Sequence, residues 1–141
     1  MKRNFQFDGM SVVRWGDQHI DLHNAYDLES CGTSLTGDAV EICFKRNAHA
    51  IDPNSLPREV TLRCAGDVRI AFNDLCEIAV PVTNEGVEIA YFDEGCDWNS
   101  WLDERMAQRQ GASGLHLSLG DGFAIRIFCN EVTFSAEERM P

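Results

Sequence analysis

Apolar and polar residues alternate with a period of two along most of the chain. Val40, Ile42 and Phe44, for example, alternate with a glutamate, a cysteine and a lysine. Successive side chains of a β-strand point to opposite faces, so this rhythm predicts strands with one buried and one solvated face. The stretches that show it are residues 20–22, 40–44, 60–64, 68–72, 87–91, 115–119 and 123–129.

Residues that favour tight turns stand between several of these stretches, which predicts short hairpins. The hairpin best supported joins residues 115–119 to residues 123–129. Residues 47–58 contain two prolines and predict a longer surface loop. The turn sequences are Gly37-Asp38, Gly66-Asp67, Asn84-Glu85-Gly86 and Gly120-Asp121-Gly122.

One segment has the period of a helix instead. Asp97 is a suitable N-cap for it and Gly111 a suitable terminator. We therefore predict one α-helix near residues 98–110. One stripe of this helix, at positions i, i+3, i+4, i+7 and i+8, consists of Trp98, Trp101, Leu102, Arg105 and Met106.

These elements predict a mainly β protein of the α+β class. The expected architecture is an antiparallel β-sandwich or a partly open barrel that carries the single helix. The chain has 141 residues, a common size for one domain. No linker or internal repeat divides it, so we expect a single domain over residues 1–141.

Charge narrows the choice of partners. The formal net charge is −11, from 12 lysines and arginines against 23 aspartates and glutamates. Such a surface repels nucleic acid and anionic membranes, so we expect neither as a partner. The charge is also uneven, because residues 70–104 contain nine carboxylates and no lysine or arginine. This segment is the candidate negative face.

The six cysteines lack the paired spacing of a zinc site, and the chain shows neither an export signal nor an apolar run long enough to cross a membrane. We therefore expect a soluble cytoplasmic protein without a cofactor. Its cysteines are expected to be reduced thiols that act as small hydrophobic residues. Cys64 and Cys129 lie on the apolar phase of their predicted strands.

His19, Asp21 and His23 form the most suggestive chemical cluster. Alternation would place all three on one face of a strand, and imidazoles with a carboxylate are common metal ligands. The competing interpretation is a strand that buries Ile20 and Leu22 and turns these polar residues to water. No further ligand can be assigned, so we predict no metal site and keep these three residues as the alternative.

Aromatic residues and carboxylates occur together in residues 91–101 without a positive charge. Protein interfaces favour this mixture, because aromatic side chains supply contact area and the charges steer an oppositely charged partner. Trp98 and Trp101 are more simply explained as the buried stripe of the helix. The candidate partner-binding residues are Glu88, Tyr91, Asp93, Glu94, Asp97, Asp103 and Glu104.

Three stretches resemble a loose group of small acidic all-β bacterial proteins, some of them immunity proteins of toxin systems. The stretches are HIDLHNAYDL from His19, VTLRCAGDVRIAF from Val60 and GFAIRIFCNEVTF from Gly122. The resemblance implies a sandwich-like fold and binding of another protein. It assigns no role to any residue.

The leading hypothesis is a non-enzymatic binding protein, such as an immunity-type inhibitor, that docks on a basic protein partner. An enzyme is less favoured, because neither a nucleophile elbow nor a phosphate-binding loop is present in the sequence. One alternative is a metal-binding protein or metal-dependent enzyme that uses His19, Asp21 and His23. The other is a structural subunit of a homo-oligomer, such as a homodimer formed through sheet edges.

Overall fold

The computed structural model describes residues 1–9, 11–72, 87–93, 114–119 and 124–137. These residues form a mainly β protein, as predicted, with twelve strands and no helix in the described ranges. The helix predicted near residues 98–110 lies outside the described residues. Within the described ranges, no helix is long and apolar enough to cross a membrane.

The strands form three sheets, and none of these sheets closes into a barrel among the described residues. The strands are β1 (Lys2–Arg3), β2 (Gln6–Asp8), β3 (Val12–Trp15), β4 (Gln18–Asp21), β5 (Tyr26–Thr33), β6 (Ala39–Arg46), β7 (Glu59–Ala65), β8 (Arg69–Phe72), β9 (Val87–Asp93), β10 (Gly114–Leu119), β11 (Ala124–Phe128) and β12 (Glu131–Ala136). The strand orders are β1-β12-β7-β6-β5, β8-β11-β10-β9 and β2-β3-β4. The described pairings are antiparallel except that of β1 with β12, which is parallel.

The five-stranded sheet follows the alternation of its sequence. From Val40 to Phe44 in β6, and along the whole of β7, every second side chain is buried and the residues between are half-buried. Ile42 and Leu62 are register partners and are both fully buried. The predicted one-sided burial is therefore confirmed for these strands. Their buried residues join residues of the other two sheets in one hydrophobic core.

Gly66 and Asp67 do not connect a hairpin, although the sequence predicted one there. β7 pairs with β6 and β12, whereas β8 pairs with β11 in another sheet. The chain therefore changes sheets at this turn, where both residues have positive φ angles, 77° and 48°. The segment between β11 and β12 makes the same change of sheet nearby.

The two crossing segments are in direct contact. The backbone N–H of Asn130 donates to the carbonyl oxygens of Ala65 and Gly66, at 3.0 and 2.9 Å. A Cβ at Gly66 would lie 2.9 Å from the Cβ of Asn130, closer than real Cβ atoms approach. The positive φ angle and the close approach both require glycine here.

The three-stranded sheet packs on β12 through aromatic rings. The ring centroids of Phe5 and Trp15 lie 5.8 and 5.4 Å from that of Phe134, distances typical of favourable aromatic pairs. The Asn4 side chain exchanges two hydrogen bonds with the backbone of Phe134, at 3.0 and 2.8 Å. These contacts attach the first strands of the chain to its last described strand.

The predicted hairpin of β10 and β11 is confirmed by its pairing, which runs from Gly114 with Phe128 to Ser118 with Ala124. Its burial differs from the prediction. Leu115 and Leu117 are buried in the core, but His116 between them is also only 8% exposed. The expected solvated face is therefore wrong for this hairpin, because both of its faces are covered.

Candidate functional site

Three of the predicted partner-binding residues lie in β9, and the other four fall outside the described residues. Tyr91 is the register partner of His116, and Asp93 that of Gly114. Glu88 lies at the irregularity where the pairing shifts between Ser118 and Leu119. Their role in binding stays a prediction. The residues outside the described ranges are Glu94, Asp97, Asp103 and Glu104.

The five-stranded sheet brings together three other carboxylates, which we call the carboxylate cluster: Glu29, Glu59 and Glu137. Glu29 lies in β5, Glu59 begins β7 and Glu137 follows β12. The backbone N–H of Glu137 donates to the carbonyl oxygen of Glu59 at 3.1 Å, which fixes these two neighbours. The sheet order creates this cluster, which no local pattern of the sequence indicates.

The surroundings of Glu59 in the cluster disfavour its charged form. Partial burial, a hydrogen bond between the carboxyl groups of Glu59 and Glu29, and the charges of Glu137 and Glu29 all raise the pKa of Glu59. Lys45 opposes them, with its Nζ atom 3.8 Å from Oε1 of Glu29. Among the described residues, one ammonium group therefore faces three carboxylates, which leaves them with an excess of negative charge.

Charges elsewhere on the same sheet are better balanced. Arg63 of β7 lies between two carboxylates, with Nη2 3.1 Å from Asp38 and Nε 3.6 Å from Glu41. Hydrogen bonds from Thr36 and Ser34, together with the charge of Arg63, lower the pKa of Asp38 to about 2. Asp38 is thus stabilised as an anion, in contrast to Glu59.

The predicted metal candidates are only partly brought together. His19 and Asp21 line a groove of about 450 Å³ with Asn24, His49 and Ile51. β4 ends at Asp21, so His23 lies in the following turn and not on the strand. The groove therefore adds His49, which the sequence did not suggest, in place of His23.

The carboxylate of Asp21 accepts hydrogen bonds from the turn that follows β4. Its Oδ1 atom accepts the backbone N–H groups of His23 and Asn24 at 3.0 and 3.1 Å, and its Oδ2 atom accepts Nδ2 of Asn24 at 2.7 Å. Burial alone would raise the pKa of Asp21, but these hydrogen bonds outweigh it and lower the pKa. No group of three or more histidines, cysteines, aspartates or glutamates among the described residues is arranged to hold a metal ion.

A second groove is lined by basic side chains. It encloses about 470 Å³ and is lined by Arg3, Arg14, Gln6 and other residues of the first strands. The Arg14 guanidinium donates to Oε1 of Gln6. No carboxylate is among the described residues that line it, so this groove is a local basic region on an acidic protein.

Comparison with known proteins gives no match at the level of a family model, a curated sequence or a solved structure. A function for this chain is therefore inferred from its own residues and geometry. Of the features described above, the carboxylate cluster is the one where three acidic side chains come together with one described cation, Lys45.

Proposed function

We propose that this chain is a non-enzymatic binding protein whose acidic surface docks a partner protein with a basic surface. The observation that carries the proposal is the carboxylate cluster, where Glu29, Glu59 and Glu137 lie together and Lys45 is the one described cation that acts on them. Like charges held together are destabilising, and this cost is removed when an arginine or lysine of a partner lies among them.

The expected binding behaviour follows from the position of these charges. They are on the surface, so salt screens them, and association should be fast at low ionic strength and slower at high ionic strength. A basic partner also lowers the pKa of Glu59, so binding near the titration range of this carboxyl group should release a proton. These features suit an immunity-type inhibitor that captures a basic toxin, and we include that role in the proposal.

We also infer that the five-stranded and four-stranded sheets stack as a β-sandwich. Support comes from the core, in which Ile42 and Leu62 of the first sheet belong to the same hydrophobic cluster as Leu117 and Ile127 of the second. In such an arrangement the carboxylate cluster would lie on an outer face, where a partner protein can reach it.

The experiment uses two variants that remove the same formal charge. The cluster variant carries Glu29→Gln, Glu59→Gln and Glu137→Gln. The control variant carries Asp17→Asn, Asp52→Asn and Glu131→Gln, which change three exposed carboxylates outside the cluster. Proteins of the source cell are captured on the immobilised wild-type chain at low salt and identified by mass spectrometry. The affinity of a captured basic protein is then measured by calorimetry against all three forms.

We expect the cluster variant to bind at least about tenfold more weakly, which corresponds to about 1.4 kcal/mol. The control variant should stay within about twofold, since distant exposed charges contribute little. Equal losses in both variants would mean that net charge alone attracts the partner and that the cluster is not the site. Capture of no basic protein at low salt would refute the proposal.

A further inference from the structure

Basic side chains line the groove between the first strands of the chain, which we call the basic groove. Its volume of about 470 Å³ is typical of sites that hold small molecules. The chemistry of its side chains therefore decides what it can hold. Its described lining consists of Arg3 of β1, Asn4 and Phe5 in the link to β2, Gln6 of β2, Arg14 of β3 and Gly16 in the turn after β3.

The backbone fixes the positions of these residues. Gln6 and Arg14 are register partners in β2 and β3, so their side chains lie next to each other on one face of the three-stranded sheet. Both are exposed, whereas Val13, which points to the other face, is completely buried. The two hydrogen bonds between Asn4 and the backbone of Phe134 hold the adjoining link in place. The groove is therefore a preformed feature of the fold.

The polar side-chain atoms of the basic groove are mainly hydrogen-bond donors. A guanidinium group carries N–H donors and no acceptor, and the groove has one on Arg3 and one on Arg14. The acceptor oxygen of Gln6 receives a hydrogen bond from Arg14, so the amide nitrogen of Gln6 adds further donors. The acceptor oxygen of Asn4 is used by the backbone N–H of Phe134. The described lining therefore suits a ligand that is rich in acceptor oxygens.

Arg14 differs from other arginines of the protein in the partner of its charge. Arg63 lies between two carboxylates, and Arg69 contacts the carboxylate of Asp67. Arg14 instead donates to the neutral amide of Gln6 and forms no ion pair with a carboxylate of the described residues. Its charge is therefore available to an external anion. The net charge of −11 repels anions at long range, so binding depends on these local contacts.

We propose that the basic groove binds a small molecule through its terminal phosphate group. Each guanidinium can donate a pair of parallel hydrogen bonds to neighbouring oxygens. One such contact occupies both oxygens of a carboxylate, whereas a terminal phosphate has oxygens left for a second guanidinium and for the Gln6 amide. Arg3 and Arg14 together therefore favour phosphate. The phosphodiesters of nucleic acid have fewer free oxygens, and the acidic protein repels their polymeric charge.

Inorganic phosphate is the probe for this site, and NMR reports where it binds. The Nε–Hε signals of the arginines are followed while sodium phosphate replaces sodium chloride at constant ionic strength and pH. We expect the signals of Arg3 and Arg14 to shift along a saturating curve. The signal of Arg58, an exposed arginine outside the groove, should stay in place. A linear response at all three arginines would mean general screening only and would overturn the proposal.

Two variants change the groove in different ways, and each has a matched control. Arg14→Gln removes a guanidinium and should weaken phosphate binding at least about tenfold, which the Arg58→Gln control should not. Gln6→Glu keeps both arginines but gives Arg14 a carboxylate partner, so it should weaken binding by a similar factor. Gln18→Glu adds the same charge at an exposed position of β4 and should stay within about twofold of the wild type. Unchanged phosphate binding in Arg14→Gln or in Gln6→Glu would refute the assigned site.

Two further anions test the choice of a terminal phosphate. Acetate presents the pair of oxygens of a carboxylate, and dimethyl phosphate presents the pair of free oxygens of a phosphodiester. We expect both to bind the wild type at least about tenfold more weakly than inorganic phosphate does. Equally tight binding of either anion would show that the second guanidinium adds nothing, and the assignment to a terminal phosphate would be wrong.

Discussion

Arg126 and His116 face each other across the β10–β11 hairpin, with the guanidinium Nε atom 3.3 Å from the imidazole Nδ1 atom. Nη2 of Arg126 lies 3.2 Å from the same nitrogen. A guanidinium can only donate, so Nδ1 accepts, and the ring is neutral with its proton on Nε2. Arg126 is completely buried, and this contact therefore holds a positive charge on the second covered face of the hairpin.

The first prediction concerns this buried contact. Arg126→Ala leaves a cavity and removes the donors that Nδ1 of His116 accepts from, so we expect a loss of roughly 3 kcal/mol of unfolding free energy. The double variant His116→Leu with Arg126→Met removes both polar groups and should recover part of the loss. Urea unfolding of the wild type, His116→Leu, Arg126→Met and the double variant measures the coupling. Additive losses would show that the two side chains do not depend on each other.

The second prediction concerns the sheet crossing. Gly66→Ala adds a Cβ that meets Asn130 at 2.9 Å on a residue with φ of 77°, so it should cost roughly 1–3 kcal/mol. Gly16→Ala is the control, because Gly16 has φ of 57° and nothing within 4 Å of the added Cβ. It should cost roughly 1 kcal/mol, from the backbone alone. Equal losses in urea unfolding would contradict the importance of the close approach.

The third prediction concerns the pH dependence that Glu59 creates. A carboxyl group whose pKa is raised by folding supports the native state at low pH, and this support is lost as the pH rises through the folded-state pKa. Glu59→Gln removes that loss, so at neutral pH the variant should be more stable by roughly 0.3 kcal/mol, a small amount because the site is screened by solvent. Thermal unfolding from pH 4 to 7 tests this. Glu131→Gln, on an exposed position of β12, is the control that removes the same formal charge.

The fourth prediction concerns Asp38 at the tip of the β5–β6 hairpin. Its pKa is lowered from 3.8 to about 2, so its stabilising effect is complete above pH 3.8 and disappears as the pH falls through about 2. A carboxyl-carbon NMR titration should therefore give a midpoint near pH 2. Arg63→Gln removes one cause and should raise the midpoint, whereas Arg69→Gln, which removes the partner of Asp67, should not. A midpoint near 3.8 in the wild type would disprove the hydrogen-bond account.

Local alternation predicted the strands well where one face is buried without interruption. β6 and β7 follow this rule, and their boundaries could be anticipated within a few residues. β5 was missed, because its pairing with β6 shifts between Leu28 and Ser30 and breaks the rhythm there. Phe5, just before β2, and Trp15 of β3 both pack on Phe134, a contact between parts of the chain about 120 residues apart that no local pattern contains.

The candidate site was harder to predict than the strands. The pairing of His116 with Arg126 could be predicted from the sequence, since the two residues are equidistant from Asp121 in the predicted turn. The burial of this pair could not be predicted, because a second covered face depends on tertiary packing. Glu29, Glu59 and Glu137 are far apart in sequence and meet only because β5, β6, β7 and β12 are adjacent. Strand order cannot be obtained from the alternation of one strand.

The parallel pairing of β1 with β12 also has a consequence for folding. Lys2 donates its backbone N–H to the carbonyl oxygen of Asn130 at 2.8 Å, and Arg3 is the register partner of Val132. These partners lie about 130 residues apart, so this edge of the sheet is closed by a contact that is remote along the chain. Contacts of such long sequence separation are typical of slowly folding proteins.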